Sequence, residues 1–493
     1  MSLAAPMHPT ASTATSVSSH WTVWTPPLAA LAVFALTLFS PRVLNDGDTW
    51  SHLATGDWIL AHGVVPTIDP FSFTKAGAPW SAHEWLAETL LALAFRAAGW
   101  SGAVLLTAAA AAAAVLILAR RLARDLEGPA LLATTILGFS LLTASLLARP
   151  HILALPILAA WCAGLLAARD AARAPSLLLL PLMTLWANLH GGFAFGLALI
   201  APFALEALLA APPHGRAAVI RQWGLFALLA VGAALVNPRG VEGLTFPLRL
   251  LGMESLAHIG EWHPANFSHL GPLEIGLVAV LVLALVKPLR VPLVRLALLI
   301  GLVHLSLQHG RHQMLLGMLA PMLLAAPIAR AIGEGTAPAR ETNPYRPAIL
   351  VAAALAIALA AVRIAWPVIR VDGPSAPIAA LNAVPAVLRE QHVLNSYEFG
   401  GYLIWDHVRP FIDGRADMYG DDFTERYRLL MNPDPPTLDD ILAGDAIAWT
   451  IFPPDAGIVG LMDREPGWRR LYADSVAVIH VRSEALLRPG EVN

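Results

Sequence analysis

One cysteine, Cys162, stands in the whole chain, within an apolar run, so an internal disulfide and a thiolate metal cluster are both excluded. The catalytic signatures HExxH, GxxxxGK[ST], GxSxG and paired CxxC are also missing. Their absence argues against a zinc protease, a nucleotide-driven pump and a serine hydrolase. Charge is scarce: Asp, Glu, Lys and Arg make up 14% of the residues and balance to −3, which gives no footing for nucleic acid. Residues 1–26 contain neither Lys nor Arg and so lack the charged start of a secretory signal. They are expected to form a disordered cytoplasmic tail ahead of a retained first span.

Apolar length is what the chain has in excess. Mean hydropathy is +0.61 and 57% of residues are hydrophobic, in runs that recur at membrane-spanning length. Eleven spans are expected, near 27–41, 101–119, 129–148, 152–168, 176–189, 193–211, 223–236, 272–286, 293–307, 312–330 and 347–369. The chain therefore reads as a polytopic α-helical membrane protein with a membrane domain over 27–370. Basic residues set its orientation: Arg120/Arg121/Arg124, Arg169/Arg173, Arg216/Arg221 and Lys287/Arg290/Arg295 fall in alternate loops, which are assigned to the cytoplasm. The N-terminus is then cytoplasmic. Residues 371–493, where short apolar runs are punctuated by Pro, Asp and Gly, become a small α/β domain on the extracytoplasmic side of the inner membrane. Within that domain, strands are expected near 392–396, 409–413, 447–452, 469–473 and 475–481, and helices near 375–390, 421–431 and 436–443.

The same orientation puts the polar clusters on one side. They are Asp46, Asp48 and His52; Asp69; His83 and Glu84; Arg149 and His151; Asn188 and His190; Asn237 and Arg239; Glu261 and His263; and His309 and Arg311. Placing such groups beside hydrocarbon is costly, so their segregation points to a site. The first outer loop, 42–99, holds several of them and is too long for a simple connection. Apolar residues from Trp50 to Ala61 at helical spacing predict an amphipathic interfacial helix with Asp48 and His52 on one face, stopped by Gly63. Ser81 to Glu84 has capping-box spacing and predicts a second interfacial helix that ends at Gly99. Asp46 and Asp48 can bind a hard divalent cation such as Mg or Mn, or one can act as a base. The arginines suit a phosphate or pyrophosphate group. The blander readings are a solvated helix start for the aspartates, headgroup snorkelling for the arginines and, for Asp413, Arg415 and Asp417, an ion pair holding the small domain together.

Asp46-Gly-Asp48-Thr-Trp50-Ser-His52, Pro66-Thr-Ile-Asp69-Pro70-Phe-Ser72, Trp80-Ser-Ala-His83-Glu84-Trp85, Arg149-Pro150-His151 and Trp186-Ala-Asn188-Leu-His190-Gly191 look like the motifs of a group of bacterial membrane proteins. That group's architecture resembles the C-fold membrane glycosyltransferases (GT-C). The chain departs from the group at Ser51, in place of the second Trp of a Trp-Trp-His run. The resemblance implies transfer of a sugar from a polyprenyl-phosphate or -diphosphate carrier to a glycan, lipid or protein acceptor. By the same resemblance, Asp46 or Asp48 would deprotonate the acceptor or help hold a metal, and Arg149, Arg239 or Arg311 would stabilise the leaving phosphate. A transporter or flippase of a lipid-linked glycan, and a non-catalytic envelope scaffold, are the alternatives.

Overall fold

The computed structural model describes residues 14–334, 346–431 and 435–486. Its first part is a helical bundle: α1 (Ala14–Phe39), α2 (Asp48–His62), α3 (Trp85–Leu122), α4 (Gly128–Ser140), α5 (Pro150–Asp170), α6 (Leu180–Leu189), α7 (Phe193–Ala198), α8 (Ile200–Ala210), α9 (Arg216–Ala234), α10 (Val241–Leu251), α11 (Pro272–Val286), α12 (Leu293–Gln308), α13 (Gln313–Ile332) and α14 (Arg346–Ala365). Among the described residues, seven helical stretches are long and apolar enough to cross a membrane, and four shorter apolar helices accompany them. Each of the eleven expected runs overlaps one of these helices, the run at 129–148 only as far as Ser140. Proline in the first turn of α4, α5 and α11 helps start them, because its missing N–H costs nothing there.

Several expectations are corrected. Helix α1 begins at Ala14, inside the stretch read as a disordered tail; residues 1–13 of that tail lie outside the described residues. Helix α2 has the expected extent, and Gly63 caps it by bonding to the Ile59 carbonyl. Part of its apolar stripe packs on protein: Trp50, Leu53 and Ile59 are buried. The Ser81 capping box does not form, because Glu84 makes no side-chain cap bond and the Ser81 hydroxyl is left unpaired. Helix α3 bends where a stop was expected, with Ala98 and Gly99 out of helical geometry; the φ of +57° at Gly99 is one only glycine adopts cheaply. The alanines of α3 pack: Ala103, Ala108, Ala111, Ala114 and Ala119 are all buried. Small residues allow the close helix approach that stands in for hydrophobic burial in lipid.

At one end of the bundle, arginines and carboxylates neutralise each other. Arg121 bonds to Asp125 at 2.6 Å and to Asp170 at 3.0 Å, and Arg295 bonds to Asp170 at 2.7 Å and Glu206 at 3.0 Å. Loops read as basic thus carry acidic partners that join α3, α5, α8 and α12.

The C-terminal unit continues with α15 (Ile378–Asn382), α16 (Ala386–Arg389), α17 (Gly400–Trp405), α18 (Ala416–Met431), α19 (Pro435–Gly444) and α20 (Gly457–Met462). They surround a four-stranded sheet of β1 (Val393–Asn395), β2 (Trp449–Phe452), β3 (Trp468–Ala473) and β4 (Val478–Arg482), in the order β1-β2-β4-β3. Only β1 and β2 are parallel. The single helix expected over 375–390 is two, α15 and α16, with Pro385 at the break. The strand expected at 409–413 is absent: Pro410 has no N–H to give a ladder, and the Asn395 side chain bonds to Phe411 N and Ile412 O instead.

This unit docks on α2. Trp50 packs against Tyr402 and Trp405 of α17 and against Trp100 of α3, with ring centroids 4.9, 5.9 and 4.4 Å away. A buried ion pair adds to the contact: Arg415 meets Asp69 at 2.6 Å and Asp413 at 2.7 Å.

Candidate active site

Asp48 opens α2, and His52 lies one turn further on, with its ring against the start of α3. There Glu84 precedes the first turn and Glu88 follows four residues later on the same face. Arg149, the residue before α5, meets the start of α2 on the other side. Its Nε is 3.2 Å from Asp46 Oδ2, Nη2 pairs with Asp48 Oδ2, and Nη1 is 2.9 Å from Glu261 Oε2. Glu261 in turn accepts from Arg311 Nη1 at 2.8 Å, and the Arg311 guanidinium stacks 4.5 Å over the Trp262 ring. One wall of the site is therefore an alternating chain of charge, Asp46/Asp48, Arg149, Glu261, Arg311.

The opposite wall gathers three histidines around one carboxyl. Glu84 lies 3.5 Å from His190 Nε2, 3.7 Å from His83 Nε2 and 3.9 Å from His52 Nε2. Each ring is oriented by its other nitrogen: His52 Nδ1 is 3.1 Å from Glu88 Oε1, His83 Nδ1 3.3 Å from the Ser81 carbonyl, and His190 Nδ1 accepts from Gly192 N at 2.9 Å. Between the two walls lies a cavity of about 140 Å³, which also meets His151, Trp262, Tyr397, Gly414, Arg415 and Asp417. The last four belong to the C-terminal unit, which closes the site.

Electrostatics separate the carboxyls. Burial, with Glu88 and Asp417 nearby, pushes Glu84 up to about 7 against the pull of His52 and Arg311. Burial would also raise Glu261, but Arg149 and Arg311 override it and hold that group at about 2. Burial raises Asp417 to about 6 despite Arg415. Burial opposes charge on His52, yet the bond to Glu88 and the carboxylates around it raise its pKa. His83 is lowered to about 4, and His190 well below its ordinary value, by burial and then by neighbouring cations. The Glu88 Oε2 atom is buried without a hydrogen-bond partner.

The geometry sorts the expected residues. Asp48, His52, His83, Glu84, Arg149, His151, His190, Glu261 and Arg311 line the cavity, and Asp46 holds Arg149 from behind. The others build the frame. Asp69 is fully buried on Arg415 and on the backbone of Phe71 and Ser72. Asn188 bonds to Trp85 Nε1 and to the Thr184 and Val236 carbonyls. Asn237 binds its own turn, and Arg239 braces the Trp80 and Thr67 carbonyls. His309 bonds to the Trp262 carbonyl at 2.7 Å, and His263 is exposed. Glu88 is buried in the site as well; its four-residue spacing from Glu84 is the signal that could have found it. Asp417 and Tyr397 come from distant chain: Asp417 stands in the Asp413, Arg415 and Asp417 group read as an ion pair of the small domain, and it lines the cavity.

A divalent cation fits the aspartate pair poorly as the residues stand. The Arg149 guanidinium already occupies the space between Asp46 and Asp48, so a cation there would have to displace it. Among the described residues, no group of three or more His, Cys, Asp or Glu side chains is arranged to hold a metal ion.

A multi-pass helical bundle with its polar cavity at one end, roofed by a small α/β unit, is the GT-C architecture, and the chain has that fold. The archaeal oligosaccharyltransferase AglB from Archaeoglobus fulgidus, solved with an inhibitory peptide and a dolichol-phosphate, superposes with a TM-score of 0.55 at 12% identity, over 96% of this chain and 75% of that one. ArnT from Cupriavidus metallidurans superposes with a TM-score of 0.52 in its apo state, at 15% identity, over 95% of this chain and 99% of that one. In its complex with undecaprenyl phosphate it gives 0.50 at 16% identity, over 94% and 98%. The chain matches no protein-family model and no curated protein by sequence.

Proposed function

We propose that the protein is a membrane glycosyltransferase that moves a sugar from a polyprenyl-phosphate or -diphosphate carrier to a glycan, lipid or protein acceptor on the outer face of the cytoplasmic membrane. The observation that carries this reading is the cavity's division into a guanidinium wall and a carboxyl–histidine wall at one end of a GT-C bundle. Glycosyl transfer needs both: cations for the phosphate that leaves, and a base for the hydroxyl that attacks.

In this reading Arg149 and Arg311 face the phosphate. Asp46, Asp48 and Glu261 fix the two guanidiniums in direction, so that little reorganisation accompanies bond breaking. Glu84 takes the acceptor proton. Among the described residues its ion-pair partners are histidines and no arginine, and its pKa of about 7 matches the range in which a base both exists deprotonated and accepts a proton well. The unpaired Glu88 Oε2 suits a sugar hydroxyl. The aspartates, expected from the resemblance to be the base, serve here to position Arg149.

The test is transfer from radiolabelled polyprenyl-phosphate sugars in proteoliposomes, comparing wild type with Glu84→Gln and Asp48→Asn. Loss of transfer in Glu84→Gln, with donor binding retained, supports the assignment. Full transfer in Glu84→Gln removes the base, and absence of transfer from every donor by the wild type removes the reaction.

A further inference from the structure

Helix α10 is short, only 11 residues from Val241 to Leu251, which at about 1.5 Å per residue is roughly half the hydrocarbon thickness of a bilayer. It cannot span, yet it begins shortly after the spanning helix α9 and precedes the apolar helix α11. Its side chains divide into three faces. Phe246 and Pro247 are buried: the Phe246 ring lies 4.2 Å from that of His83, and Leu250 lines the cavity. Glu242, Thr245 and Arg249 form a polar edge, where Arg249 and Glu242 pair at 3.5 Å. Between these faces, Val241, Leu244, Leu248 and Leu251 recur at three- and four-residue spacing, and Val241, Leu248 and Leu251 are 67%, 66% and 60% exposed.

A helix with one face against protein, one polar and one bare and apolar matches a membrane interface, where hydrocarbon lies on one side and water on the other. The chain leading into α10 borders a further groove: Val236, Asn237 and Pro238 line it together with Trp85, Leu86, Pro181, Thr184, Leu185 and Asn188, a mostly apolar set.

We propose that α10 lies in the bilayer interface, with Val241, Leu248 and Leu251 in the headgroup–acyl boundary, and is the lipid-contacting wall of the cavity. The helix rests on lipid outside and on His83 inside, so bilayer packing bears directly on the histidine wall. The inference rests on the membrane fold and holds whichever group the cavity transfers.

The test uses the full chain in nanodiscs of phosphatidylcholine and phosphatidylglycerol. Cys162 is buried, so a cysteine at Leu248, Leu251 or Arg249 takes an environment-sensitive NBD label selectively. Probes at Leu248→Cys and Leu251→Cys are expected to emit to the blue of the one at Arg249→Cys, and to be quenched more by a spin label near the headgroup than by one at the chain end. Equal, water-like emission at all three sites overturns the proposal, as does strongest quenching by the deep label. Hydroxyl-radical footprinting of the unmodified chain guards against damage by the substitutions. Leu248 and Leu251 are expected to stay unoxidised, and oxidation matching that of exposed Leu429 in the C-terminal unit overturns the assignment.

Discussion

Arg149 is the joint on which the cavity turns, and replacing it with lysine separates charge from geometry. The guanidinium touches Asp46, Asp48 and Glu261 at once, through three different nitrogens. A lysine keeps the charge but offers one compact ammonium, which can satisfy one of the three carboxylates at full strength. Two charge-assisted contacts are then lost, each contributing about 1.5–3 kcal/mol when well shielded. The side chains keep some solvent contact, from 16% for Arg149 and Asp46 to 32% for Glu261, so the lower end applies. The loss comes to about 3 kcal/mol, or roughly a hundredfold in kcat/KM if the contacts are strongest in the transition state. Arg149→Met goes further, because it leaves Asp46 and Asp48 facing each other without a cation. That variant is expected to melt earlier, and Arg149→Met with Asp46→Asn to recover part of the melting temperature but none of the activity. Transfer in proteoliposomes and thermal unfolding in detergent read the two effects separately. An Arg149→Lys variant within threefold of wild type would refute the idea that a multidentate guanidinium organises the site.

Because Glu84 must be deprotonated to act as a base, transfer by the wild type should rise as pH increases through about 7 and level off above it. Glu84→Gln should leave a low, flat profile; an unchanged rise through the same range would assign the titration elsewhere. Gly414 lies so close to Asp48 that an added Cβ would land on its carboxylate oxygen, so Gly414→Ala is expected to displace the loop and cut transfer at least tenfold with little change in melting temperature. Wild-type transfer would show that the loop's position over Asp48 is immaterial. Arg415→Met strands the fully buried Asp69 and Asp413 carboxylates without their cation, at a cost of about 3–5 kcal/mol. Limited proteolysis should then cut the C-terminal unit faster than in wild type, and equal rates would contradict the ion pair's role in docking.

The helices were legible because hydrophobic runs of spanning length have few other uses, and each run matched a helix. Proline also spoke locally, at the starts of α4, α5 and α11. It misled where its lack of an N–H mattered to a neighbour, as at Pro410, where an apolar stretch without a donor could not join the sheet. Amphipathicity in α2 was read correctly as helix, but an apolar stripe does not say whether it meets a bilayer or a protein, and Trp50, Leu53 and Ile59 meet protein. The true three-faced helix, α10, was passed over because its stripe is only four residues long.

Sequence by itself determined that this is a polytopic membrane protein, where its long apolar helices fall, and that its histidines, acids and several arginines gather in a few polar clusters. Those properties follow from transfer energies and short-range periodicity, which act along the chain. Only the tertiary structure decided which members of the clusters meet. Arg149 and Glu261 are joined at 2.9 Å across more than a hundred residues, while Asn188, Asn237, Arg239 and Asp69 are spent on the frame. A polar residue near a membrane surface must find a partner, but its identity depends on how the helices pack. The same packing turned Asp46 and Asp48 into holders of a guanidinium and left Glu84, among three histidines, without one.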